Sequence, residues 1–184
     1  MKRVIVVIAL AALALAIPPF PTVSAATCTP TGFYRDGINM TAALINPAGP
    51  VAGDIDAAGC NVGLYFDRGT GSVDGAEIHG ANYFGVLVNG DDNVVAVDVK
   101  NSRIHDIGET PLNGTQHGVA IYYRAFGSGA ATGKISGNTI SNYQKGGIVA
   151  NGAGTKADIR NNTVTGQGPV SYIAQNGIQV GYGA

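Results

Sequence analysis

The chain has 184 residues, a formal net charge of −1 and only 12% charged side chains. It therefore lacks the basic patch that nucleic-acid binding requires, and any net charge that would draw it to an anionic membrane. Its 28 glycines follow no three-residue period, which excludes collagen and fits a protein with many tight turns.

Residues 1–26 read MKRVIVVIALAALALAIPPFPTVSAA. Lys2 and Arg3 form a charged start, Val4 to Ile17 is an apolar run, and Val23-Ser24-Ala25 is a small-residue cleavage site. This is expected to be a secretory signal peptide, so the protein is expected to be secreted, with a mature chain from Ala26 or Thr27. A membrane anchor is the alternative. The run is short of the ~18 to 20 residues that span a bilayer, and prolines follow it. No later segment is apolar for long enough to span one.

Residues 27–62 are expected to form an N-terminal cap and a first, irregular coil, with a helical turn or short helix over Asn39 to Ile45. Cys28 and Cys60 are the only cysteines. An even count in an exported chain points to a disulfide. It would close a loop of about 32 residues and add ~3 kcal/mol on chain-entropy grounds. Two free thiols or half of a metal site are the alternatives, and no CxxC spacing or nearby histidine pair favours them.

From residue 63 two patterns alternate. One is a six-residue unit: VDGAEI from Val73, VKNSRI from Val99, ISGNTI from Ile135 and IRNNTV from Ile159. The other is glycine followed by alternating apolar residues, at Gly63, Gly85, Gly118, Gly147 and Gly177, in steps of 22, 33, 29 and 30 residues. The glycine pattern reads as a short strand of period two, with Leu64, Phe66, Val86, Val88, Val119, Ile121, Ile148, Ala150, Ile178 and Val180 inward. The six-residue unit reads as two short strands joined at a bend, where Gly or Asn supplies a left-handed backbone. Asn101 and Asn161 are expected to contribute to a side-chain ladder at that bend.

The fold class that follows is all-β: a right-handed single-stranded parallel β-helix, or solenoid, of about four to five coils over residues 63–184. The crossover preference of parallel strands sets the hand. A β-sandwich would not repeat one bend sequence, and a doubly wound fold needs helical patterns that are almost absent.

Aligning the units fixes a register. Ser72, Asp98, Lys134 and Asp158 share an outward column, as do Asp74, Lys100, Ser136 and Arg160, and Glu77, Arg103, Thr139 and Thr163. Like charges are never directly opposed in this alignment. His79 is expected to sit over His105. The chain stops at GIQVGYGA, inside the strand of a new coil and without a capping element, so further coils or a partner chain are expected there.

The segments GDIDAAGCNVGLYFD, GTGSVDGAEIHGANYFGVLVNG, NGTQHGVAIYY, ISGNTISNYQKGGIVANGAG and YIAQNGIQVG resemble the secreted right-handed β-helix repeat proteins of bacteria, in the pectin-lyase-like superfamily. The resemblance covers roughly Gly53 to the C-terminus. It implies the solenoid, and it implies sugar polymers as substrate class through the superfamily's lyases and hydrolases. That second step is fold-level analogy.

Three sets of residues carry candidate chemistry. His79, His105 and Asp106 would lie together on one face, as a metal site or for proton transfer; two neighbouring exposed histidines are the plainer reading. Asp91, Asp92, His117 and Arg124 are the catalytic candidates, because paired aspartates and a histidine resemble the acid residues of polygalacturonases. Here they read NGDDN and TQHGV with no Arg-Ile-Lys following, and an Asx-rich corner is the alternative. No cofactor is expected. Calcium is the one ion that Asp67, Asp91 and Asp92 could serve, if the fold brings them together. Finally, Tyr65, Tyr83, Tyr122, Tyr123, Tyr143 and Tyr172 are candidates for stacking on sugar rings, and Thr139/Ser141 and Thr163/Thr165 form a short outward array. The expected function is binding of extracellular polysaccharide, with a lyase or hydrolase and a non-catalytic surface solenoid as alternatives.

Overall fold

A computed structural model describes residues 27–184; the signal expectation for residues 1–26 lies outside the described residues. The described chain contains no helix and winds into a parallel β-solenoid of about five turns. The first turn holds β1 (Thr29–Arg35), β2 (Ile38–Ile45) and β3 (Val51–Asp56), and the second β4 (Val62–Phe66) and β5 (Gly69–His79). The third holds β6 (Phe84–Asn89), β7 (Val94–Lys100) and β8 (Arg103–His105). The fourth is β9 (Val119–Arg124), β10 (Ala130–Ser136) and β11 (Thr139–Ser141). The fifth is β12 (Gly146–Asn151), β13 (Thr155–Arg160) and β14 (Thr163–Thr165), followed by β15 (Asn176–Gly181).

Three faces result. β2, β4, β6, β9, β12 and β15 stack in parallel as the first face, with β1 antiparallel on β2. β5, β7, β10 and β13 build the second. The C-terminal half of β5 continues through β8, β11 and β14 into the third.

The bend between the second and third faces is the expected one. Its third-place residues Gly75, Asn101, Gly137 and Asn161 have φ of 72°, 48°, 69° and 55°. The ladder, however, belongs to the fourth place. Ser102 Oγ accepts from the Ala76 amide at 3.1 Å, Asn138 Oδ1 from the Ser102 amide at 3.0 Å, and Asn162 Oδ1 from the Asn138 amide at 3.0 Å. Asn138 and Asn162 also donate to the carbonyls of Val99 and Ile135 at 2.9 and 2.8 Å. Asn101 and Asn161 are not adjacent, because Gly137 lies between them in the column. The fourth-place side chains turn inward, where an unpaired amide must find a partner.

The predicted columns are present: Ser72 pairs with Asp98, Asp74 with Lys100, Glu77 with Arg103 and His79 with His105. The first turn adds one opposition the repeat alignment did not include, since Asp54 stands on Glu77 and Asp56 on His79.

Two expectations are corrected. Asn39 to Ile45 is strand, not helix, because it lies along β4 with Ala42 opposite Val62 and Leu44 opposite Leu64. Residues 27–62 hold a first turn with a hairpin, whose pairing is interrupted by register shifts between Pro30 and Tyr34 and between Val51 and Gly53. In the glycine column the true equivalent of Gly85 is Ala120, not Gly118: Val86 pairs with Ile121 and Phe84 with Val119. Val119 consequently packs outside with Phe84 and Tyr122, while Ala120, Ile121 and Tyr123 face the interior.

Cys28 and Cys60 are bonded, and Cys60 is buried. Disulfides of this kind belong to oxidising environments.

Where coils approach most closely, only glycine fits. A Cβ on Gly133, at φ 153°, would lie 1.6 Å from the Val97 carbonyl oxygen, which already accepts from the buried Tyr123 hydroxyl at 2.6 Å. Gly133→Ala is expected to lower the unfolding free energy by about 3 kcal/mol in urea denaturation. Gly53→Ala, also at positive φ but facing open space, should lose about 1 kcal/mol. Equal losses would remove the close-approach argument.

Candidate functional site

Stacked turns bring side chains of distant sequence within contact. On the third face the His79 and His105 rings lie 5.3 Å apart and 13° from parallel. Each nitrogen faces a carboxylate. His79 Nε2 is 3.0 Å from Asp54 Oδ1 and Nδ1 is 3.7 Å from Asp56 Oδ1. His105 Nε2 is 3.0 Å from Glu77 Oε1 and Nδ1 is 2.6 Å from Asp106 Oδ2. Arg103 pairs with the same Glu77 oxygen. The Arg103 guanidinium thus offsets the Asp54–Glu77 opposition, and each carboxylate has an imidazole nitrogen beside it.

The three residues named as metal candidates do come together. Among the described residues, however, no group of three or more His, Cys, Asp or Glu side chains is arranged to hold a metal ion. The carboxylates sit edge-on to separate ring nitrogens instead of converging on one centre.

Beside this array the chain forms an open groove of about 420 Å³, walled by Asp106, Glu109, Pro111, Leu112, Asn142, Gln167 and Tyr172. A hydrogen-bonded string crosses it. Tyr172 Oη donates to Gln167 Oε1 at 2.7 Å, and Gln167 Nε2 to Asn142 Oδ1 at 3.2 Å. Asn142 donates in turn to Asp106, which holds His105. Buried Gln144 organises the loop below: its Oε1 accepts from the amides of Glu109 and Asn113 at 3.1 and 3.2 Å, and its Nε2 donates to the Thr115 carbonyl at 2.8 Å. Glu109, Asn142, Gln144 and Gln167 were not singled out from sequence.

The catalytic candidates are divided. Asp91 and Arg124 form an ion pair, with Arg124 also donating to Asn89 Oδ1 at 2.7 Å and Asp91 accepting from the Phe126 amide at 2.8 Å. The guanidinium is sandwiched between the rings of Phe33 and Phe126, at 4.8 and 5.2 Å. This is a latch for β1, which folds back over the first face and sets Phe33 6.3 Å from Tyr65. Asp92 is exposed and forms no bond among the described residues. Asp67, Asp91 and Asp92 do line one polar recess, of about 220 Å³. His117 is not part of it. It precedes the start of β9 while Arg124 ends it, some ~20 Å away in an extended strand. There His117 Nε2 meets Glu109 Oε1 at 2.6 Å and its ring stacks 3.8 Å from Tyr83.

The tyrosines are corrected likewise. Of the six candidates, Tyr65, Tyr83, Tyr122, Tyr123 and Tyr143 are buried and Tyr172, 43% exposed, is open for stacking; Tyr34 and Tyr182 are exposed as well. Burial raises the hydroxyl pKa of Tyr65, Tyr83, Tyr123 and Tyr143. Tyr123 and Tyr143 lie in the interior, and the alternating pattern could not reveal the burial of Tyr65, Tyr83 and Tyr122 because the outer side of the first face is itself covered.

No family profile, no curated protein and no solved structure matches this chain.

Glu77 is held below the usual carboxylate range, chiefly by its bond to His105 and then by Arg103. For Asp106 burial is the largest influence and pushes upward, but the Asn142 amide and His105 outweigh it and hold it low. Depressed carboxylates stabilise the fold above their unfolded pKa, about 4, and lose that contribution as pH falls through the lower folded value. Melting temperature should therefore fall from pH 5 to pH 2.5, and less steeply in Glu77→Gln. Parallel curves for both proteins would show that Glu77 carries none of the acid sensitivity.

Proposed function

We propose that this protein is secreted and binds extracellular polysaccharide in the groove beside the histidine array. The observation that carries the reading is Tyr172. It is an exposed ring on the wall of an open groove, with its hydroxyl anchored to Gln167 and a row of amide and carboxylate groups, Gln167, Asn142 and Asp106, running away from it. A sugar presents an apolar ring face and a rim of hydroxyls, so an aromatic plane beside fixed acceptors and donors matches both. The groove volume falls in the range of ligand sites. The signal sequence and the disulfide support location outside the cell. The resemblance to pectin-lyase-like proteins points to the same class of ligand. A hydrolase or lyase reading has less support, since Arg124 is engaged as a latch and His117 stands far from Asp91.

Affinity electrophoresis through gels holding pectin, alginate or neutral glucans tests this. Retardation by at least one polymer is expected, weakened about tenfold in Tyr172→Ala, which is about 1.4 kcal/mol. Gln167→Ala should act in the same direction. Retardation unchanged in both variants would sink the assignment. Release of reducing ends or unsaturated uronides by the wild-type protein would replace it with the enzyme reading.

A further inference from the structure

Below the groove, the loop that joins β8 to β9 meets the short segment between β11 and β12. Thr115 and His117 come from the loop, and Gln144 from the segment, 29 residues beyond Thr115. Gln144 is fully buried, and its carboxamide is fixed on both sides. Oε1 accepts from the backbone amides of Glu109 and Asn113 at 3.1 and 3.2 Å. Nε2 donates to the Thr115 carbonyl at 2.8 Å and also to the Thr115 hydroxyl oxygen, which therefore lies against the carboxamide. The hydroxyl gives its own proton to Asn113 Oδ1 at 2.7 Å, and His117 Nε2 stands 3.3 Å from the same oxygen. Glu109 Oε1 is 2.6 Å from that nitrogen, and the imidazole is stacked on Tyr83 with ring centres 3.8 Å apart.

A buried carboxamide is satisfied by any suitable donors and acceptors. Here both donors on its oxygen are backbone amides, the arrangement that stabilises the oxyanion of an acyl-transfer intermediate. A hydroxyl lies at the acyl group, and a histidine backed by a carboxylate lies at the hydroxyl. Nucleophile, base and oxyanion donors thus surround an electrophile that belongs to the protein itself.

We propose that Thr115 and Gln144 become joined by an intramolecular ester. The Thr115 hydroxyl proton passes to the His117–Glu109 pair as Oγ1 attacks Gln144 Cδ. Negative charge develops on Oε1, where the amides of Glu109 and Asn113 receive it. As the intermediate collapses, the Cδ–Nε2 bond breaks, the pair returns its proton to the departing nitrogen, and ammonia leaves. The exchange needs no oxidant or reductant. Burial of Gln144 keeps water from the acyl carbon, so the ester persists. It ties the loop that walls the groove to the start of the fifth turn, as Cys28–Cys60 ties down the hairpin.

Peptide mapping of the purified protein by mass spectrometry, after denaturation and reduction, tests this. The tryptic peptides 104–124 and 135–145 should appear as one species, lighter than their sum by one ammonia, which hydroxylamine splits. Thr115→Ser keeps the hydroxyl and should stay linked; Thr115→Ala should give separate peptides. His117→Ala should slow the linkage roughly a hundredfold, leaving the peptides separate in freshly prepared protein. Separate peptides of full mass in the wild type would overturn the assignment, as would a link that survives Thr115→Ala. Loss of ammonia from peptide 104–124 alone would overturn it too, because that marks a succinimide at Asn113-Gly114 instead. None of these readouts depends on polysaccharide binding.

Discussion

The structure depends on one junction: the bend where each turn passes from its second to its third face. A left-handed residue turns the chain, and the next side chain points into the solenoid and bonds the backbone of the neighbouring turn. Gly75, Asn101, Gly137 and Asn161 do the first, and Ser102, Asn138 and Asn162 the second. A backbone amide freed by the bend would otherwise be buried without a partner. Because each ladder bond joins two turns, it fixes their register as well as satisfying the amide. A shift of one residue would move every apolar side chain to the wrong face.

Register is what assembles the chemistry. Residues in neighbouring turns stand about 4.8 Å apart along the axis, so the fold converts sequence separations of some 26 residues into direct contact. His79 lies on His105 for this reason alone, and the carboxylates around them come from three different turns. The ion pairs here are largely exposed and contribute little individually. Arg103 offsets the opposition of Asp54 and Glu77, and each of the four carboxylates stands beside an imidazole nitrogen.

The first face behaves differently from the other two. Its outer side carries Val62, Tyr65, Phe84, Leu87, Tyr122 and Val149, and β1 covers part of it. The cover is held by Arg124 between Phe33 and Phe126 and by the disulfide from Cys28 to Cys60. Apolar residues thus lie on both sides of these strands, which explains why alternation alone misassigned Val119 and left Tyr65, Tyr83 and Tyr122 looking exposed. Toward β15 the same columns become polar, with Asn176 and Gln179.

The sequence by itself determined the solenoid, the bend, the charge columns, the disulfide and the stacking of His79 on His105. Each is written as a residue type recurring at a place defined by backbone geometry. What only the tertiary structure decided is which side chains are covered and which loops meet. The hairpin over the first face arises from Phe33 and Arg124, which are 91 residues apart and share no pattern. The groove arises from Glu109, Asn142, Gln167 and Tyr172, which sit in or beside loops of three turns whose lengths follow no repeat. The contact of Thr115 with Gln144 is visible only when every neighbour is in place. Repetition encodes strands and their stacking, because those contacts recur in each turn. Sites are built from the interruptions, where contacts occur once and leave no period to read.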